Sequence, residues 1–239
     1  MKTSQKALLS AVGAVALGII FIVAYIRIVA GSSYAEDGGE VLHDLGDRTT
    51  KTIDVRDFHG VVVRGGWDIV VKQGENWNVK ITYPENMEKY LDIEVEDEHL
   101  VLGLHNVRSG KRDKELHLKA ELTMPRLEYL EVAGAADLEF KGFSGENLHI
   151  MLAGAANIEG YRSDFEKLEL RLNGAGRVDL EEVEVHDAEV SLAGAGDVQL
   201  NMTGGVLSGS LAGVGSIRYH GTIAENRVGV FGVGGVKKM

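Results

Sequence analysis

The sequence predicts an all-β fold, a parallel β-helix (β-solenoid) with rungs of about 20 residues, preceded by one N-terminal transmembrane helix. Three observations predict it. A glycine returns every 19 or 20 residues from Gly134 to Gly232, apolar and polar side chains alternate around it, and the segment Ala7–Ile26 is uncharged. The 239 residues include 31 glycines but only 2 prolines, which indicates many tight corners between short strands.

The N-terminal segment, residues 1–30, predicts a transmembrane signal-anchor helix. Ala7–Ile26 is long enough, as a helix, to rise ~30 Å and cross the hydrocarbon core of a bilayer. Two lysines precede it, which keeps the N-terminus in the cytoplasm. We therefore expect a single-pass protein of the bacterial inner membrane with a periplasmic C-terminal domain. The alternative is a signal peptide cleaved between Ala35 and Glu36, which would make the protein secreted.

The part between the anchor and the regular repeats is less uniform. Residues 31–51 are small, polar and acidic, and they predict a flexible acidic tether. Residues 52–126 predict irregular first rungs or a cap of the solenoid, in which VVVRGGWDIVV repeats the rung pattern. An insertion at 84–114 contains a helical turn, PENMEKYL, and a basic loop, RSGKRDK. A separate small β domain is the alternative for this part.

Residues 127–239 predict six regular repeats. The recurring glycine is expected at one corner of each rung, at Gly134, Gly154, Gly174, Gly194, Gly213 and Gly232. Val or Leu lies two residues before each glycine, and Leu, Ile or Val lies four residues after it. One such unit cannot bury its apolar face alone, but copies stacked ~4.8 Å apart can. We expect Gly174 to lie directly between Gly154 and Gly194, with no helix after Gly176.

The series VAGAADLEF, LAGAANIEG, LNGAGRVDL, LAGAGDVQL and LAGVGSIRY, preceded by FHGVVVRGGWDIVVKQG, resembles the GIN-domain family. This family is known as the putative auto-transporter adhesin head domain. The resemblance covers roughly Thr52 to the C-terminus, and its specificity comes from the number of repeats in phase. It implies an exported β-helical domain, with adhesion proposed by analogy and no catalytic residues defined. The tripeptide of the family name does not occur in this chain.

Composition and motif spacing argue against several functional classes. The net charge of −11 disfavours nucleic acid as a partner, and the absence of cysteine excludes thiol chemistry and thiolate metal sites. LNGAGRVDL lacks the third glycine and the following helix of a dinucleotide-binding turn, so we expect no cofactor. We also expect no metal, because an arginine interrupts the column that would have to form a calcium site. That column, a polar ladder, contains Asp137, Asn157, Arg177, Asp197, Ser216 and Gly235.

The sequence predicts no enzyme and no catalytic residue. A glycosidase needs two carboxylates that converge in a groove. Glu181 and Glu182 are adjacent and would point to opposite faces of a strand, while Asp137 and Asp197 lie three rungs, or ~14 Å, apart. The candidates for contact with a ligand are Arg108, Lys111, Arg112, Trp67, Tyr161 and Tyr219. The alternatives for them are a solvated loop and aromatic rings that fill the ends of the solenoid.

These observations favour a membrane-anchored, outward-facing β-helical module with a binding or structural role, adhesin-like and without a catalytic site. The alternative is a periplasmic sensor or scaffold domain in cell-envelope stress signalling. The expected partners are the membrane, through the N-terminal helix, and an envelope protein or glycan. The rung pattern continues to Val236. We therefore hypothesise a homo-oligomer in which another subunit covers the uncapped C-terminal rung, unless Lys237 and Lys238 alone protect it.

Overall fold

The computed structural model describes residues 46–105 and 118–239, and this part of the chain is all-β, as predicted. Its strands form one sheet that coils into a β-solenoid of about six turns. The strands are β1 (Arg48–Ile53), β2 (Gly60–Gln73), β3 (Asn78–Pro84), β4 (Leu91–Glu96), β5 (His99–Leu104), β6 (Leu118–Met124), β7 (Tyr129–Lys141), β8 (Ser144–Tyr161), β9 (Ser163–Thr203), β10 (Val206–Thr222), β11 (Glu225–Val230) and β12 (Val233–Lys238). A short 3-10 helix, Glu85–Tyr90, lies at the predicted helical turn.

The rungs stack in parallel and in register. β7 pairs with β8 from Tyr129 opposite His149 to Lys141 opposite Tyr161. β8 pairs with the first part of β9, and the last part of β9 pairs with β10. β11 and β12 then pair with the two halves of β10. Equivalent residues of successive repeats therefore lie one strand spacing, ~4.8 Å, apart.

The corner glycines form one column along the solenoid. Gly174 is the register partner of Gly154, and a Cβ atom added to Gly194 would lie 2.0 Å from the carbonyl oxygen of Gly174. Gly174 therefore lies between Gly154 and Gly194. Its φ of 155° is a conformation that favours glycine. The strand β9 continues through Gly176, so the opening of LNGAGRVDL is a corner between two rung segments and not the start of a helix.

Alternating apolar side chains fill the interior on both sides of this corner. Two residues before the glycine lie Val132, Leu152, Leu172, Leu192 and Leu211, which are at most 1% exposed. Four residues after it lie Leu138, Ile158, Val178, Val198 and Ile217, which are at most 2% exposed. Burial of each such side chain contributes ~1.5–3 kcal/mol. The stability of the fold is therefore distributed along its axis, because every rung adds a similar layer.

The strands of the N-terminal part do not stack in chain order. β2 is a complete rung that pairs with β7, from Gly60 opposite Tyr129 to Lys72 opposite Lys141. The other edge of β2 pairs with two shorter strands, β5 along its first half and β6 along its second half. After β2, the chain therefore passes to the end of the solenoid. It then returns as β5 and β6, which together form the rung beside β2.

Antiparallel strands flank that rung. β3 pairs with β6 and β1 pairs with β3, while β4 pairs with β5. All of them belong to the sheet of the solenoid, so the alternative of a separate small β domain is wrong. β1 begins at Arg48, inside the segment 31–51 that the sequence predicts to be a tether, so that boundary is also wrong. Every residue of Arg48–Ile53 has a register partner on β3, so β1 extends the sheet.

The part of the chain that the structure describes contains no helix long and apolar enough to span a membrane. The segment Ala7–Ile26, on which the prediction of a transmembrane helix depends, lies outside the described residues, as does most of the predicted tether.

Candidate binding surface

Outward-facing side chains form columns that run across the rungs. In the polar ladder that follows the corner glycines, the Asn157 amide Nδ2 donates a hydrogen bond to Asp137 Oδ1 at 2.8 Å. Further along, the Ser216 hydroxyl donates to Asp197, and Arg218 Nη2 lies 3.9 Å from the same carboxylate. These carboxylates are bound by donors from neighbouring rungs, as in a solvated hydrogen-bonded ladder.

A groove crosses β7, β8 and β9 beside this ladder, and we call it the charged groove. It consists of two surface depressions of about 360 and 430 Å³ that share Arg162 and Glu182. The first is lined by Glu139, Lys141, Tyr161, Arg162 and Glu182. The second is lined by Arg162, Ser163, Asp164, Phe165, Glu166, Glu182, Glu184, His186 and Thr203. Five carboxylates against two permanent cations make the groove acidic, which disfavours an anionic ligand.

Tyr161 is the accessible aromatic side chain of the charged groove, because Phe165 is only 4% exposed, and neighbouring charges fix the state of Tyr161. Its hydroxyl donates a hydrogen bond to Glu159 Oε2 at 2.5 Å. This bond, together with burial and nearby carboxylates, raises the pKa of Tyr161 to about 12. Across the groove, Lys141 Nζ lies 2.9 Å from Glu139 Oε1. The phenol therefore stays neutral at physiological pH, with its ring orientation set by the bond to Glu159.

Arg162 turns the chain between β8 and β9 with a φ of 45°. Few non-glycine residues adopt a positive φ, and such strained residues cluster at functional sites. The turn places the guanidinium where the two depressions meet. Among the described residues of the groove, Arg162 alone combines a permanent positive charge with a positive φ.

A second cluster of polar side chains, the histidine cluster, lies near the start of β2, β5 and β7. His59 Nε2 lies 3.2 Å from Glu128 Oε2, and the His99 ring stacks on Tyr129 with centroids 4.6 Å apart. The Tyr129 hydroxyl donates to Glu131 Oε2 at 2.5 Å, and Glu131 is only 7% exposed. Burial and the neighbouring His59 lower the pKa of His99. Sequence reasoning missed this cluster, because the pairing of β5 with β2 brings His99 there from a distant part of the chain.

The aromatic residues predicted to face a ligand do not form one surface. Trp67 is 2% exposed, and its indole N–H donates to the Arg64 carbonyl at 3.2 Å, so its assignment as ligand-facing is wrong. Tyr219 is the register partner of Leu200 and therefore occupies a core column. Tyr161 alone of the three lines the charged groove. Arg108, Lys111 and Arg112 lie outside the described residues.

The adjacent carboxylates of β9 also differ from the prediction. Glu181 and Glu182 are both exposed, and the buried residues beside them are Leu180 and Val183. The strict alternation is interrupted at this point, so the two side chains do not point to opposite faces. Glu181 Oε1 lies 3.3 Å from His220 Nε2, whereas Glu182 lines the charged groove.

Comparison with known proteins places this geometry in a family. A family model described as "Putative auto-transporter adhesin, head GIN domain" matches residues 57–223, which include β2 to β10. A comparison with curated proteins gives no match.

Solved structures share the fold. One from Bacteroides fragilis, described as a putative adhesin, has a TM-score of 0.65 at 21% identity and covers 84% of this chain and 100% of its own. A second, from Parabacteroides merdae and described in the same words, has a TM-score of 0.55 at 20% identity, with 84% and 99% covered. A third putative adhesin, from Parabacteroides distasonis, has a TM-score of 0.51 at 18% identity, with 84% and 100% covered.

Proposed function

Because the chain belongs to the GIN-domain family of auto-transporter adhesin heads, we propose that it is an adhesin-like binding module without a catalytic site. Ala7–Ile26 holds it in the bacterial inner membrane, and the solenoid faces outward. The charged groove binds a neutral or cationic glycan of the cell envelope. The solved structures of similar fold are described as putative adhesins, which supports a binding role.

The observation that carries the proposal is the position of Tyr161 among carboxylates in an open groove. A neutral aromatic ring offers a flat apolar face to a sugar ring, and carboxylates accept hydrogen bonds from its hydroxyl groups. The groove is long enough to cross three strands, so it suits an extended chain of sugar units more than one small molecule. Its acidic lining selects against uronic acids and phosphorylated polymers.

A binding experiment on the full chain in phosphatidylcholine nanodiscs tests the proposal. The nanodiscs are applied to an array of bacterial envelope glycans, and Tyr161→Ala and the pair Glu182→Gln/Glu184→Gln are compared with the wild type. We expect each variant to bind its best neutral glycan about 30-fold more weakly, the effect of losing a residue worth ~2 kcal/mol. The matched control, Glu75→Gln/Glu189→Gln, removes the same charge from exposed positions outside the groove. Equal binding by the groove variants and the control would contradict a role of the groove.

A further inference from the structure

The exposed large hydrophobic side chains of the described part of the chain all lie at its C-terminal end. Phe231 is 77% exposed, Val233 71% and Val214 58%. Val214 and Val233 are register partners on β10 and β12, and Phe231 lies two residues before Val233. We call these three side chains the end corner. Elsewhere along the described solenoid, apolar side chains of this size are covered.

The end corner projects from the side of the solenoid and not from its core. Val214 and Val233 continue the column that follows the corner glycines, in which the earlier rungs carry only small side chains at Ala135, Ala155, Ala175 and Ala195. Phe231 lies on the other side of the corner, one residue before Gly232. Leu211, the core residue of the same rung as Val214, is buried. Val214 stays 58% exposed although β12 already pairs alongside it, so another rung would not cover this column.

The charge of the chain reverses at the same place. Residues 206–239 contain four cations and one acid, a net charge of +3, within a chain whose net charge is −11. Arg227 pairs with Glu225, and Arg218 lies near Asp197. Lys237 and Lys238 are exposed and form no ion pair with any described residue. The end corner is thus an apolar projection, and two unneutralised cations follow Val233 four and five residues later on the same strand.

We propose that the end corner docks on an anionic lipid surface. Phe231 and Val233 enter the headgroup region, and Lys237 and Lys238 lie against the lipid phosphates. Exposed apolar side chains beside lysines are the combination that binds peripheral proteins to anionic membranes. The strands carry backbone polar groups that hydrocarbon cannot satisfy, so only the side chains of the corner enter the interface.

A second copy of the chain fits this surface less well. A two-fold contact brings the same patch of both subunits together and would place a net charge of +3 against +3. An apolar side chain that projects as far as Phe231, which is 77% exposed, also needs a matching depression in any rigid surface on which it docks. A deformable lipid interface needs no matching depression.

The acidic remainder of the molecule does not prevent this docking. The solenoid extends ~40 Å from the end corner to β1, since about nine strand spacings separate β11 from β1. At physiological ionic strength, charges are screened over ~8 Å. A membrane in contact with the end corner is therefore screened from the acids of the remote rungs.

The test uses the full chain in phosphatidylcholine nanodiscs and labelled acceptor vesicles. One set of vesicles contains phosphatidylcholine alone and the other a mixture with phosphatidylglycerol, and capture is measured by fluorescence cross-correlation. We expect capture of the anionic vesicles only, falling as salt is added. Lys237→Gln/Lys238→Gln should weaken capture about 30-fold, since each cation near such a surface is worth about five-fold. In Phe231→Trp, indole emission should shift to shorter wavelength on addition of anionic vesicles.

The control Lys80→Gln/Lys167→Gln makes the same charge change at exposed positions on β3 and β9, and it should capture vesicles like the wild type. Phe231→Ser/Val233→Ser should lose capture but keep binding of any glycan held by the charged groove, so this proposal and the proposed function fail separately. Equal capture of neutral and anionic vesicles, or equal loss in the control, would overturn the proposal. So would a dimer in light scattering that depends on Phe231 without any vesicle capture.

Discussion

Replacement of Gly174 by alanine should destabilise the solenoid far more than the same change at Gly66, a glycine outside the column of corner glycines. A Cβ added at Gly174 would lie 2.1 Å from the carbonyl oxygen of Gly154, and the φ of Gly174 is 155°. Two rungs would have to separate by about 1 Å, a form of overpacking that costs ~1–3 kcal/mol. The unfavourable backbone conformation adds ~1–3 kcal/mol. We expect a total loss of about 4 kcal/mol in the free energy of unfolding.

Gly66→Ala is the matched control for this prediction. The nearest atom to a Cβ at Gly66 is the carbonyl oxygen of Ala135, 3.8 Å away, which is ordinary van der Waals contact. Its stability should change by less than ~1 kcal/mol and can rise, because alanine restricts the unfolded chain.

The assay is thermal unfolding of the full chain in nanodiscs, followed by far-ultraviolet circular dichroism. For a domain of this size, ~1 kcal/mol shifts the Tm by ~2–4 °C. Gly174→Ala should therefore lower the Tm by ~8–16 °C, and Gly66→Ala should leave it within a few degrees. A Gly174→Ala variant that melts with the wild type would refute the close approach of the two rungs. Equal destabilisation by both variants would refute the argument from the glycine column, because it would show that the loss does not depend on the distance to the next rung.

Three further predictions concern other parts of the chain. Trp67→Ala should lower the free energy of unfolding by ~3–5 kcal/mol in urea titrations, because Trp67 is 2% exposed in the core, and should leave glycan binding unchanged. The pKa of Tyr161 is raised to about 12, so its neutral phenol stabilises the fold fully below pH ~10, the pKa of an unfolded tyrosine. This stabilisation is lost as the pH rises through 12. Glu159→Gln should return the pKa of the phenol, measured by its absorbance titration, towards the ordinary value. Alkaline carbonate should leave the full chain in the membrane pellet and release a variant lacking Ala7–Ile26, whereas release of both would argue against an anchor.

The stacking of the regular rungs could be predicted because two periods coincide in the sequence. Alternation along each strand places Leu172 and Val178 in the interior, and the spacing of 20 residues places Gly174 over Gly154. Once the corner glycines are aligned, the register partner of every residue in β7 to β10 follows from its distance along the chain to the nearest corner glycine. The rung pattern predicted for VVVRGGWDIVV follows the same logic, and its Gly65 is the register partner of Gly134 although the sequence between them has no regular repeat.

The parity of positions along a strand also separates buried from outward-facing aromatic side chains. Trp67 lies an even number of residues from the core positions Val63 and Ile69, so alternation alone places it inside. Tyr219 lies two residues after the buried Ile217, with the same consequence. Tyr161 has the opposite parity to the buried Ile158, which places it outside. The three rings were predicted together as candidates for ligand contact, whereas the position of each ring within its strand separates them.

Other features could not be predicted from local pattern. β5 and β6 form the rung beside β2 although β3 and β4 separate β2 from β5 in the chain. The alternation of apolar and polar residues does not specify which neighbouring strand a strand pairs with. β1 contains three threonines and two cations in Arg48–Ile53 and resembles a polar tether. It is a strand because β3 offers it a free edge. The histidine cluster depends on the pairing of β5 with β2, so it could not be predicted from local pattern either.

The separation of core and outward columns also explains where function can arise in a repeat protein. The interior columns must keep apolar side chains of similar size, because each packs against the rung before and after it. Outward columns carry no such restriction, and a single rung can change without disturbing its neighbours. Departures from the common residue of an outward column are therefore informative: Tyr161 follows a lysine in its column, and Val214 follows a series of alanines. Both departures coincide with a second feature, the charged groove for Tyr161 and the reversal of charge for Val214.

Val214→Ala restores the residue of the earlier rungs and tests whether the end corner has a role. We expect this variant to reduce vesicle capture while keeping the Tm of the wild type. Unchanged capture would show that the valine is only a tolerated variation.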